Sequence, residues 1–275
     1  MAQPLPLWPH LQVVLPRFVA SEWCALLLDY DGTLTPIVTD PATAYLSPAM
    51  QQILTALAHH PRYQVAMVSG RALADLQGRA AGLALYIAGN HGLQIAGPEI
   101  EYSHPEAVRL QPQLRALAQE LQQELETIPG AWVEDKGLTL TVHRREVPTA
   151  YVPLVQRRVL RCIGPALETR ALVLRTGKAV LEIRPAITWD KGSALRWIVE
   201  HMCLSRSASG MFPVYIGDDE TDEDAFQALG AAGLGILVGC DRLASAAHYY
   251  VESVEQVRQF LAMLSGLTWP TRPCV

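Results

Sequence analysis

The sequence has few cysteines, no C-x-x-C pair and no excess of basic charge. Its five cysteines are odd in number and scattered at Cys24, Cys162, Cys203, Cys240 and Cys274, which argues against a disulfide framework or a zinc site. They read as reduced thiols, and a cytoplasmic location is expected. A net charge of −5 argues against nucleic acid as the main partner, because no basic face would neutralise its phosphates. The first residues lack a basic leader and are broken by Pro4, Pro6, Pro9 and Pro16. They resemble neither a signal peptide nor a membrane span, so no membrane partner is expected and the segment reads as a short arm before the fold. No tandem repeat or low-complexity stretch is present.

Half of the 275 residues are apolar, ample for a buried core in one large domain or two modest ones. Short runs, apolar on both faces, recur at Cys24–Leu28, Val65–Val68, Leu85–Ala88, Val214–Ile216 and Gly235–Val238. Helical periodicity separates several of them, for example over Pro48–His59 and Lys191–Met202, so the fold class is α/β with a parallel, Rossmann-like sheet. The middle differs. A long amphipathic helix from about Glu106 to Ile128 precedes strands Ala131–Lys136 and Leu138–Arg144. A helix over about Thr149–Ile163 and a hairpin, Leu172–Arg175 and Ala179–Arg184 about the turn Thr176-Gly177-Lys178, complete an αββαββ block. The block reads as an inserted α+β cap domain, residues 105–186, expected over the strand ends of a core formed by residues 1–104 and 187–275.

The chemistry gathers where apolar runs stop, and ligands collect at strand carboxyl ends in open α/β sheets. Asp29-Tyr30-Asp31-Gly32-Thr33 puts two carboxylates two residues apart after a hydrophobic strand. One can attack phosphorus while the other handles protons. A phosphate dianion repels a carboxylate, so this attack calls for a hard cation such as Mg²⁺ with oxygen ligands, bridged by Asp29. The segment Gly217-Asp218-Asp219-Glu220-Thr221-Asp222-Glu223-Asp224 crowds six acids after another buried strand, which also favours a cation. A helix start capped by Thr221, with Asp224 completing a capping box, accounts for part of the crowding, leaving Asp218 and Asp222 toward the metal. Ser69 ends a third strand, where Ser-Gly is also an ordinary turn. Lys191 heads an apolar helix, where its charge opposes the helix dipole and suggests a function against Asp29.

In that order, Asp29-x-Asp31-x-Thr33, Ser69, Lys191 and Gly217-Asp218-Asp219 resemble the haloacid dehalogenase (HAD) superfamily of phosphatases. The resemblance implies Asp29 as nucleophile, Asp31 as acid and base, and Thr33, Ser69 and Lys191 as phosphate-holding groups. It implies Mg²⁺ held by Asp29, the Asp31 carbonyl and Asp218, with Asp222 one layer behind. The inserted block resembles a C2B-type cap. Finer details resemble the trehalose-6-phosphate phosphatase family: Asp29–Pro36, Val68–Arg71, Gly89-Asn-His-Gly92, Val133–Lys136, His143–Arg145, Leu181–Pro185 and Gly217–Asp224. That likeness implies hydrolysis of trehalose 6-phosphate, with Glu134, Lys136, Arg145 and Glu182 reading sugar hydroxyls and Arg71 and His91 nearer the core. Asn90 and Arg144 depart from the family's usual residues, in segments expected at the sugar. A separate synthase chain is the expected functional partner. The competing reading closest in chemistry is a phosphatase for glucosylglycerol, mannosylglycerate or sucrose phosphate. A phosphomutase is disfavoured because no feature demands that a phosphorylated intermediate be retained and repositioned, and a catalytically silent sensor because the full acid/base and phosphate-holding set is present.

Overall fold

The computed structural model describes residues 3–177, 179–206, 210–240 and 244–267. Lys178 of the expected hairpin turn, and Cys274, lie outside them. The chain divides into two compact units, Met1–Glu101 with Trp189–Val275, and Tyr102–Thr188. Sequence reading places those divisions at 104/105 and 186/187.

The first unit holds β1 (Leu5–Pro6), α1 (Leu11–Ala20), β2 (Trp23–Leu28), α2 (Pro48–His59), β3 (Tyr63–Val68), α3 (Leu73–Arg79), β4 (Tyr86–Gly89) and β5 (Gln94–Gly97), then β6 (Ile100–Ser103), which runs across the division. The second unit follows with α4 (Pro105–Leu125), β7 (Trp132–Asp135), β8 (Leu140–His143), α5 (Val152–Glu168), β9 (Leu172–Gly177) and β10 (Val180–Pro185). The chain then returns to the first unit with α6 (Lys191–Arg206), β11 (Met211–Gly217), α7 (Glu223–Leu229), β12 (Leu234–Val238), β13 (Tyr249–Val251) and α8 (Val254–Ser265).

Among the described residues, the strands of the first unit form one sheet in the order β1-β13-β12-β11-β2-β3-β4-β5-β6. The pairs from β1 through β4 are parallel, and β5 runs antiparallel to β4. From β2 the chain builds outward to β3 and β4 on one side, and later to β11, β12 and β13 on the other. The order therefore reverses between β2 and β11, the switch point where doubly wound sheets open a crevice at the carboxyl ends. Every residue of β2 is buried, which is why its sequence is apolar without alternation.

The first residues are not a free arm. Leu5 and Pro6 pair with Tyr249 and Tyr250, Leu7 is fully buried, and Trp8 Nε1 donates to Gln256 Oε1 at 2.9 Å. Proline is tolerated there because β1 is an edge strand and Pro9 lies in the first turn of a short helix, where missing N–H groups cost little.

In the second unit, four strands pair in the order β7-β8-β10-β9. Leu140, Val142, Leu181 and Ile183 alternate along β8 and β10 and pack with Leu114 and Leu121 of α4 and Val155 and Val159 of α5. The opposite face carries Thr141 and His143 on β8, and Val180, Glu182 and Arg184 on β10, so it is mostly polar.

Candidate active site

Strand register brings the separated motifs together. In β2, Leu28 pairs with Ile216 of β11 and with Met67 of β3. One step further, the three neighbouring strands end at Asp29, Gly217-Asp218 and Val68-Ser69, and Asp29 N–H still donates to the Ile216 carbonyl at 2.9 Å. Asp29, Ser69 and Lys191 are all buried, with relative exposures of 4, 3 and 3 %.

Lys191, the first residue of α6, donates to Asp29 Oδ1 at 2.8 Å and to Asp222 Oδ1 at 2.7 Å. The helix dipole disfavours an ammonium at that end, but two buried carboxylates outweigh it. Burial works against the Lys191 charge, yet Asp222 and Asp29 hold its pKa well above the ordinary lysine value. For Asp29, burial is the largest effect and raises the carboxyl well above its usual range; Lys191 opposes this, and Asp222, Asp218 and Asp219 add to it. Such a pocket gains from a further cation.

Asp222 is fully buried and accepts four hydrogen bonds. Lys191 Nζ and the Tyr215 hydroxyl, at 2.6 Å, reach Oδ1, while the backbone N–H groups of Asp218 and Asp219 reach Oδ2 at 2.9 Å. Its acceptor positions are filled, so it organises the Asp218 turn. Thr221 is not the cap of the following helix. Asp219 caps the short turn Glu220–Asp222 and Asp222 completes the capping box, because the chain is still extended at Asp219 and the helical turn begins one residue later. Burial would raise the Asp219 pKa, but Lys191 and the two bonds from Thr221 bring it down to about 2.

One oxygen each of Asp29, Asp218 and Asp222 lies within 4.8 Å of the others. Asp222 already accepts four bonds, so Asp29 and Asp218 are the better placed of the three to ligate an ion. Gly32 shows how closely the first motif approaches the second: with φ at +81°, a Cβ there would fall 2.2 Å from Asp218 Oδ2. Only glycine allows this approach, and it lays the Asp31–Gly32 peptide beside the Asp218 carboxylate. The hydroxyl of Thr33, fully buried, has no hydrogen-bond partner among the described residues, as a group meant for a ligand or water would. This all-oxygen donor set suits Mg²⁺.

Asp31 lies on the more open side, with its side chain 41 % exposed, and both of its oxygens are held by Arg71. His91 has φ of +55° and donates its backbone N–H to the Ser69 carbonyl at 2.9 Å, while Gly70 leaves room for its ring. His91 thus joins the Ser69 turn. Asn90 is fully buried at φ +50°, a conformation asparagine tolerates, and its amide donates to Gln94 Oε1 at 3.0 Å.

In the second unit, Glu134 Oε2 lies 2.8 Å from His143 Nε2, and Glu182 pairs with Arg184. The His143 ring stacks on Trp132 with ring centroids 3.8 Å apart. Lys136 follows the end of β7 and its N–H bonds to the Thr139 carbonyl at 3.0 Å; Arg145 is exposed beyond β8.

Sequence reasoning missed Tyr215, Asp75 and Arg79. A tyrosine inside the run Val214–Ile216 is a signal, because a buried hydroxyl needs a partner. Arg71, Asp75 and Arg79 recur every four residues with alternating charge, the spacing of one helix face.

The family model described as trehalose-phosphatase matches residues 27–255. The chain belongs to the trehalose-phosphatase family. Within that family it is similar to the trehalose-phosphate phosphatase of Mycobacterium tuberculosis, 37 % identical over 246 residues covering 88 % of this chain and 61 % of that protein. The chain thus spans about three-fifths of that relative's length. Its fold matches the C-terminal domain of Candida albicans trehalose-6-phosphate phosphatase with a TM-score of 0.79 and 24 % identity, covering 97 % of this chain and 99 % of that one. A HAD-like hydrolase from Bacteroides thetaiotaomicron shares the fold at a TM-score of 0.58 and 17 % identity, with coverages of 88 % and 99 %.

Proposed function

We propose that this member of the trehalose-phosphatase family hydrolyses trehalose 6-phosphate to trehalose and phosphate, using Mg²⁺ and an aspartyl-phosphate intermediate on Asp29. The observation that carries the reading is the buried Asp29–Lys191–Asp222 assembly beside Asp218 at the sheet's switch point. A nucleophilic carboxylate, a fixed ammonium and an unsatisfied Thr33 hydroxyl stand together where an anion would enter.

Asp29, the Asp31 carbonyl and Asp218 would hold the ion, which when bound screens the charge of the phosphoryl group and lets a carboxylate approach it. Lys191 fixes Asp29 through Oδ1, and among the described residues no donor reaches Oδ2. An Asp29 oxygen bonds to phosphorus as the bond to the sugar oxygen breaks, and Asp31 gives that oxygen its proton. Asp31 then takes a proton from water, whose oxygen bonds to phosphorus as the Asp29–phosphorus bond breaks. Ser69, Thr33 and Lys191 offer donors to the phosphoryl oxygens, where charge grows in the transition state.

Sugar recognition is assigned in this proposal to Glu134, Lys136, Arg145 and Glu182, with His91 beside the phosphate-binding turn. Charged groups suit the task because each bonds hydroxyls and rejects substrates that lack them. Among the described residues, no helix is long and apolar enough to cross a membrane. A cytoplasmic enzyme supplied by a separate trehalose-6-phosphate synthase completes the proposal.

The test is phosphate release across phosphorylated mono- and disaccharides, with and without a chelator. Trehalose 6-phosphate should be the best substrate and activity should return with Mg²⁺. Preference for sucrose, glucosylglycerol or mannosylglycerate phosphate would retain the chemistry and replace the substrate; turnover persisting in chelator would remove the metal.

A further inference from the structure

Outside the Asp29–Lys191 assembly, the first unit holds a second chain of alternating charges. Arg71 is 11 % exposed at its side chain and presents one edge of its guanidinium to Asp31, Nε to Oδ2 at 2.6 Å and one terminal nitrogen to Oδ1 at 2.7 Å. That same terminal nitrogen donates to the Pro41 carbonyl at 2.8 Å, and the other donates to Asp75 Oδ2 at 2.8 Å. Arg79, one turn further along α3, closes on both Asp75 oxygens through Nε at 2.9 Å and donates to the Ala44 carbonyl. Tyr30 lies beneath both arginines, 5.3 Å from Arg71 and 5.9 Å from Arg79, and its hydroxyl also donates to Ala44.

The geometry points to Arg71 as a positioning residue for Asp31, held in turn by Asp75 and Arg79. Asp31 sits on a half-solvated turn, where an unrestrained carboxylate would sample several rotamers and meet the leaving oxygen only part of the time. The guanidinium fork binds both carboxylate oxygens and fixes the plane of the group as well as its position. A lone surface ion pair would hold it weakly, but Arg71 is itself fixed by a second carboxylate and a carbonyl, so little rotamer freedom remains to be lost. Four of its five N–H groups are spent within the protein, which leaves it poorly equipped to read a sugar.

This inference rests on the phosphatase reading, and a comparison of leaving groups separates the two. Trehalose 6-phosphate has a basic leaving oxygen that needs a proton, whereas 2,4-dinitrophenolate leaves without one. Both steps depend on Asp31 for the sugar ester, but only the second does for the aryl ester. In rapid mixing, Arg71→Gln should release a burst of dinitrophenol equal to the enzyme present, at the wild-type rate, followed by slow steady turnover. Its kcat on trehalose 6-phosphate should fall about 100-fold, the scale of a misplaced catalytic group. Arg71→Lys should behave similarly, since it keeps the charge and loses the fork, and Asp75→Asn should show the same pattern more mildly.

A rise in KM for trehalose 6-phosphate alone, with kcat unchanged, would make Arg71 a sugar contact and overturn the proposal. So would a burst reduced in amplitude in step with steady turnover in all three variants, the mark of misfolding. Wild-type enzyme that hydrolyses neither ester would remove the phosphatase reading itself.

Discussion

Lys191 Nζ donates to Asp29 Oδ1 at 2.8 Å across 162 residues of sequence. That bond joins the end of β2 to the start of α6 and makes the nucleophile part of a buried ionic assembly with Asp222. Removing the ammonium strands two buried carboxylates. Lys191→Ala is therefore expected to lower unfolding stability by about 3–5 kcal/mol, as breaking a buried pair does, and to abolish turnover. Denaturant unfolding and phosphate release at saturating Mg²⁺ measure the two effects; retention of both within twofold would refute the role.

Asp29→Asn should lose all turnover, because an amide cannot attack phosphorus. Asp31→Asn should instead accumulate a slow aspartyl phosphate, detected as a phosphoryl mass increment on the peptide holding residue 29. Full activity in either variant would exchange or cancel the two roles.

The close approach of Gly32 to Asp218 makes a sharp test of the proposed ion site. Gly32→Ala places a Cβ into the Asp218 carboxylate at a positive φ, so the carboxylate must move. Calorimetric titration should show Mg²⁺ affinity lowered by about tenfold or more, as disturbed ligand orientation does. Unchanged affinity would place the ion elsewhere.

Acid stability should report Asp219. Its folded pKa of about 2 lies below the ordinary 3.8, so its contribution is complete above the ordinary value and disappears as pH falls through the folded one. In metal-free protein, wild type should exceed Asp219→Asn by about 2 kcal/mol near neutrality, with the difference shrinking between pH 4 and 2. A difference independent of pH would mean that charge is not what Asp219 contributes.

For the second unit, Glu134→Ala and Glu182→Ala should raise KM for trehalose 6-phosphate by about tenfold or more while p-nitrophenyl phosphate is turned over nearly normally, since a lost charged hydrogen bond costs about 1.5–3 kcal/mol. Equal losses on both substrates would take these residues out of sugar recognition.

Much of the first unit was legible because its central strands are buried on both faces. The five apolar runs between Cys24 and Val238 all become strands, and each stops where polar or glycine residues begin. Other elements were silent for physical reasons. β1 is two residues long and contains proline, and β13 is three residues long with Tyr249 and Tyr250 half-buried, so neither has a periodic signal. The ends of helices shifted more than the strands, because caps depend on local hydrogen bonds: Asp219, not Thr221, accepts the decisive one.

Within the site, the sequence by itself determined the chemistry on offer: paired carboxylates after a strand, a misplaced lysine and a crowd of acids. It could not decide which of those groups would be occupied by one another. Tertiary structure filled Asp222 with four donors, set Asp218 beside Asp29, left the Thr33 hydroxyl without a partner among the described residues, and turned Arg71 toward Asp31. The reason is that residue type fixes what a side chain can donate or accept. Which partner it meets depends on strand register and helix placement across long sequence separations.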